Sequence, residues 1–92
     1  MAYRLLVEGR VQGVNYRSSV KRIADSMGVN GFVKNLEDGR VEIICDCDEN
    51  TLEKFKQKIF LTSSSFIGPN VEKITEESFT ENKSFSGFKI EF

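Results

Sequence analysis

Histidine is missing altogether from the 92 residues. Without imidazole, neither a Ser-His nor a Cys-His nucleophile scheme can be assembled, and the commonest ligand of transition metals is absent. Whatever chemistry the chain carries must run without that base. Cysteine is scarce as well, limited to Cys45 and Cys47. Two apart on an extended segment, they point to the same face. They sit too close along the chain for an unstrained disulfide, and two thiols without histidine make no zinc site. They read as packed or half-buried thiols in a reducing compartment, and no metal site is expected.

A surplus of charge is absent too. Thirteen Lys and Arg face fourteen Asp and Glu, a formal net charge of −1. A sequence-independent nucleic-acid binder would show a basic excess, so no nucleic-acid partner is expected. That balance still permits a local anion site. No apolar run approaches the roughly 18 residues that cross a bilayer. The opening "MAYRLLVEGR" is broken by Arg4 and Glu8, unlike a secretory leader. No membrane association and a cytoplasmic location are the expectations. Repeats, low-complexity segments, a P-loop (no Lys-Ser or Lys-Thr follows the glycines) and a G-x-G-x-x-G fingerprint are all missing.

What remains is an ordinary globular balance, 39% hydrophobic and 29% charged, fitting one domain over residues 1–92. A chain of this size buries only about 60–70% of its unfolded surface, so its core is small. "YRLLVEGR" sets Tyr3, Leu5 and Val7 against Arg4, Leu6 and Glu8 and predicts a strand. Val20, Ile23, Ala24 and Met27 recur at helical spacing, predicting a helix over residues 17–27 with Gly28 as its C-cap. "VNGFVKN" predicts a strand, "NLEDGR" a hairpin turn with Asp38-Gly39 at the positive-φ position, and "RVEIICDC" the returning strand. Asn50, with Glu53 three residues on, suggests an N-cap; Leu52, Phe55 and Ile59 then form the buried stripe of a second helix. "SSS" and Gly68-Pro69 mark a loop before "VEKITEESF" and "FSGFKIEF", two further strands, the last alternating Phe88, Ile90 and Phe92. The order β-α-β-β-α-β, plus a final strand, predicts an α+β, ferredoxin-like sandwich: an antiparallel sheet, both helices on one face, and an extra C-terminal strand. Right-handed crossovers make the first two strands parallel, with the third between them.

That topology gives meaning to "GRVQGVNYR", residues 9–17. The stretch ends on an arginine at the start of a helix, where the backbone dipole disfavours a cation. Arg17 follows the first strand and Asn35 ends the second. Parallel strands bring those ends to one edge, about 9–10 Å apart across the intervening strand. A tight turn leading into a helix presents successive N–H groups to an anion, and Gly9 and Gly13 permit the conformations this needs. A bound dianion would reconcile Arg17 with its position. The alternative is that the glycines only turn the chain and Arg17 is solvated. Likewise Asn35 can be a turn asparagine, and Gln12 can brace the loop or stand exposed. Glu8 and Glu42, at exposed-face positions on strands, are read as groups of the surface or behind the site, because a carboxylate pair would repel a bound dianion.

Taken together, "GRVQGVNYR" and "GFVKNLEDGRVE" resemble the two signature segments of the acylphosphatases. The order, the separation and the surrounding frame fit, and the resemblance covers essentially the whole chain. It implies hydrolysis of the carboxyl–phosphate bond of acyl phosphates, giving a carboxylate and inorganic phosphate. It implies a loop that holds phosphate through backbone N–H groups, assigning Gln12, Gly13, Val14, Asn15, Tyr16 and Arg17 to phosphate binding. Arg17 and Asn35 match the family's catalytic arginine and asparagine, with Asn35 placing the water and the substrate's own phosphate accepting its proton. No cofactor, a small-molecule acyl phosphate as sole partner, and a monomer are expected. Tyr16 replaces the usual phenylalanine and Phe32 the usual tryptophan, and Asn15 stands where many members have a small residue. Two other readings remain. One is a carbamoyl phosphate substrate, as in acylphosphatase-like domains of maturation proteins, against which the 92-residue length weighs. The other is a ferredoxin-like regulatory or RNA-binding module, against which the acidic balance and missing exposed-aromatic pattern weigh.

Overall fold

Alternation and helical spacing convert almost directly into the elements of the computed structural model, which describes residues 2–61, 69–79 and 85–91. They are β1 (Ala2–Arg10), α1 (Tyr16–Met27), β2 (Asn30–Asn35), β3 (Val41–Asp46), α2 (Glu49–Leu61), β4 (Asn70–Phe79) and β5 (Phe88–Glu91). The sheet order is β4-β1-β3-β2-β5. β3 lies antiparallel between β1 and β2, which are therefore parallel to each other, as the crossover rule requires. The final strand pairs parallel with β2, so the sheet is mixed rather than wholly antiparallel. The chain reaches β5 after β4 on the far edge, and nothing in the local pattern of "FKIE" encodes which way it will pair.

The core lies between one sheet face and the two helices. Tyr3, Leu5 and Val7 of β1, Val33 of β2 and Val41, Ile43 and Cys45 of β3 meet Tyr16, Val20 and Ala24 of α1 and Leu52, Phe55 and Ile59 of α2. The phenyl rings of Phe55 and Phe88 meet edge to face at 6.3 Å. Cys45 is fully buried and Cys47 half-buried, both as free thiols. Leu6 and Ile44 point to the other face yet are also buried. In register they are flanked by Phe32, Glu42 and Arg4. Arg4 Nε donates to Glu42 at 2.6 Å and Nη1 to Glu77 at 3.2 Å, while the Phe32 and Phe85 rings lie 6.1 Å apart. Glu42 is thus occupied by an arginine, on the face opposite the helices.

Besides the start of α1 at Tyr16 rather than residue 17, one cap, one strand start and one glycine add to or differ from the sequence reading. Helix α2 is capped by Asp48, not Asn50: Asp48 Oδ1 accepts from Thr51 N at 2.7 Å, and Asp48 O accepts from Leu52 N at 2.9 Å. Both residue types cap helices, and the first one after the strand takes the role, leaving Asn50 inside the first turn. β5 begins at Phe88 rather than Phe85, because Gly87 has φ +77°, off the extended region. Gly9 has a role in the pairing with β4. It sits at a register shift between β1 and β4 with φ +133°, and a Cβ there would lie 2.1 Å from Asn70 O. Ser63, Ser64, Ser65, Gly68 and Phe92 lie outside the described residues.

Candidate active site

The segment between β1 and α1 is held at both ends and open in the middle. Val11 is buried and Tyr16 enters the core, its hydroxyl donating to Ile59 O at 3.3 Å. That carbonyl belongs to the last turn of α2. Burial raises the phenol's pKa well above its ordinary value, so the ring stays neutral. Between these anchors, Gly13 (φ +74°) and Asn15 (φ +61°) both adopt the left-handed conformation. Glycine does so freely and asparagine better than most residues.

This conformation has an electrostatic consequence. Asn15 is the N-cap of α1, yet its side chain makes no capping hydrogen bond, and no acidic residue occupies the first turn. Among the described residues, the N–H groups of Gly13, Val14 and Asn15 have no hydrogen-bond partner. The loop and the helix start therefore offer a group of donors with no internal acceptor, at the positive end of the helix dipole.

Arg17 is the second residue of α1. Its Nη1 donates to Glu91 O at 3.1 Å, which takes the guanidinium to the C-terminal end of β5. In the sheet, Glu91 pairs with Lys34, the residue before Asn35. The arginine thus reaches the edge where β2 ends, by way of β5 rather than across β3. A cavity of about 250 Å³ lies there, lined by Val11, Gly13, Asn15, Tyr16, Arg17, Ser18 and Ile90. Among the described residues, no carboxylate is in that lining.

Among the sequence-predicted residues, Gly13, Asn15, Tyr16 and Arg17 come together around this cavity. Val14 instead packs against the core. Gln12 turns the other way: its Nε2 donates to Leu36 O at 2.7 Å and to Arg40 O at 2.9 Å, both in the β2–β3 hairpin. Asn35 ends β2 as expected but is not part of the cavity lining. Its Oδ1 is buried and has no hydrogen-bond partner among the described residues. Such an orphan carries a cost unless water or a ligand satisfies it. Ser18 and Ile90 were not anticipated as lining residues. Adjacency to Arg17 could have flagged Ser18, and alternation already put Ile90 on the inner face. The Glu91 carbonyl has no sequence signal, since it is backbone from a distant strand.

Comparison with known proteins decides the family. The acylphosphatase family model matches residues 3–90. The chain belongs to the acylphosphatase family. It is accordingly a hydrolase of the acylphosphatase type on a ferredoxin-like fold. It is similar to the acylphosphatase of Bacillus subtilis (strain 168), at 41% identity over 87 residues, covering 95% of this chain and 89% of that one. The crystal structure of acylphosphatase from Bacillus subtilis superposes with a TM-score of 0.85 and 34% identity, covering 99% of this chain and 98% of that chain. The crystal structure of T. kodakarensis HypF also contains this fold, with a TM-score of 0.84 and 27% identity, covering 100% of this chain and 12% of that longer chain.

Proposed function

We propose that the chain hydrolyses the carboxyl–phosphate bond of acyl phosphates, with the phosphoryl group held by the 12–17 loop and Arg17 and the attacking water placed by Asn35. The observation that carries this reading is a cavity of about 250 Å³ lined by Arg17 together with Gly13 and Asn15, whose N–H groups have no hydrogen-bond partner among the described residues. Fixed donors of this kind act where charge shifts in the transition state and need no reorganisation.

An acyl phosphate is a mixed anhydride with a good carboxylate leaving group. Water oxygen attacks phosphorus in line, the bond from phosphorus to the acyl oxygen breaks, and the carboxylate departs with the bonding pair. As the family resemblance implies, the water's proton passes to a phosphoryl oxygen of the substrate itself, which fits a chain without histidine and a cavity without a carboxylate among its described lining residues. Catalysis then rests on holding and aligning the reactants. The Asn35 Oδ1, without a hydrogen-bond partner among the described residues, fits a role in accepting from that water.

The test is phosphate release from a synthetic aryl acyl phosphate. Saturable turnover that inorganic phosphate inhibits competitively is the expected result. Absence of turnover above the uncatalysed rate would overturn the reading.

A further inference from the structure

Both hydrogens of the Gln12 amide are committed to the backbone of the β2–β3 hairpin, at 2.7 Å to Leu36 O and 2.9 Å to Arg40 O. Two carbonyl acceptors require donors, which fixes the amide's orientation. The free end of the side chain is therefore Oε1, an acceptor that a phosphoryl oxygen would avoid. A role for this side chain as an anion ligand does not fit that geometry.

The hairpin it grips is itself closed by Leu36 N donating to Arg40 O at 2.8 Å. Leu36 directly follows Asn35, and Gln12 directly precedes Gly13. One side-chain nitrogen thus ties the residue beside the anion-holding loop to the residue beside the water-placing amide. No other hydrogen bond joins residues 12–15 to residues 35–40 among the described residues. We infer that Gln12 is a positioning residue that sets the distance between the phosphoryl group and the Asn35 side chain, and so acts on the placement of the water rather than on phosphate binding. This rests on the function proposed above.

The test is a double-mutant cycle. Gln12→Leu removes the donors, and Gln12→Glu is isosteric but carries no donor when ionised. Each is measured for kcat, KM and phosphate inhibition, in the wild-type and Asn35→Ala backgrounds. In the wild-type background kcat should fall about 10–100-fold, the loss expected when reactants are misplaced by about 1 Å, while the phosphate inhibition constant changes by no more than about threefold. In the Asn35→Ala background the same substitution should cost little further, because the group it positions is gone. For Gln12→Glu, kcat relative to wild type should recover as pH falls through the carboxyl range, where a protonated acid again donates. This variant also carries the test if Gln12→Leu fails to fold by circular dichroism. Additive losses, or phosphate affinity falling as far as kcat, would overturn the inference and leave the function standing. Full kcat in Asn35→Ala would remove the proposed role of Asn35 and the inference with it.

Discussion

Tyr16 shows how one substituted atom is accommodated. Its hydroxyl is the only addition to a ring that the core would otherwise accept as phenylalanine, and it lands on the Ile59 carbonyl at 3.3 Å in the last turn of α2. Tyr16→Phe should therefore lower stability by about 1 kcal/mol, the net worth of a typical buried hydrogen bond, and leave kcat unchanged. Urea unfolding beside steady-state kinetics checks both halves; a loss of kcat without a loss of stability would place the hydroxyl in the chemistry. At this scale Arg17 and Gly13 were legible from sequence physics, as a cation at a helix start and a turn glycine, whereas Asn15 and Tyr16 entered through the family resemblance. The task of Gln12 was not legible. Its partners are two carbonyls more than twenty residues away, and backbone acceptors have no residue identity to read.

The elements themselves follow from local rules, with errors where those rules are degenerate. α1 begins one residue before the expected position and ends at Gly28, whose φ of +69° lets its N–H bond back to Ala24 O and Asp25 O. The hairpin is as read: Gly39 takes φ +95°, and Asp38 accepts from Arg40 N and Nε. The cap of α2 was misplaced because Asp48 and Asn50 both suit the role. The corrected cap makes a pH prediction. The Thr51 backbone N–H, first among several causes, holds the Asp48 carboxyl below its ordinary pKa. A depressed carboxyl contributes stability that is fully present above its unfolded value and is lost as pH falls through the folded one. Asp48→Asn keeps the cap but removes the titration, so its melting temperature should drop less than that of wild type on acidification through the carboxyl range. Parallel pH curves for the two proteins would show that Asp48 carries no linked proton. Gly9 belongs to this scale as well. Any Cβ at that position meets the β4 backbone, so Gly9→Ala should destabilise by about 2–4 kcal/mol, a loss visible in urea and tied to a clash and a positive φ.

At the scale of the whole molecule, the sheet order brings together groups that are far apart in sequence: the loop after β1, the start of α1, the end of β2 and the end of β5. The parallel pairing of β5 with β2 puts the Glu91 carbonyl within reach of Arg17. That feature was illegible in sequence because pairing direction depends on the path of the chain rather than on the strand's own residues. A preformed anion site implies that inorganic phosphate binds the native state alone. The melting temperature should then rise with the logarithm of phosphate concentration over its dissociation constant. Activity should also survive excess EDTA, since histidine is absent and the described residues lining the cavity include no carboxylate; a loss restored by Mg²⁺ or Zn²⁺ would contradict this. The central claim is that Arg17 holds the phosphoryl group while Asn35 holds the water, and the phosphate inhibition constant of the two alanine variants tests it most directly. Arg17→Ala should weaken phosphate inhibition and lower kcat together, by roughly 10²–10³ in rate for a lost electrostatic contact. Asn35→Ala should lower kcat by a similar order with phosphate inhibition unchanged, as for an interaction made only in the transition state. Equal weakening of phosphate inhibition in both variants would contradict the division of roles.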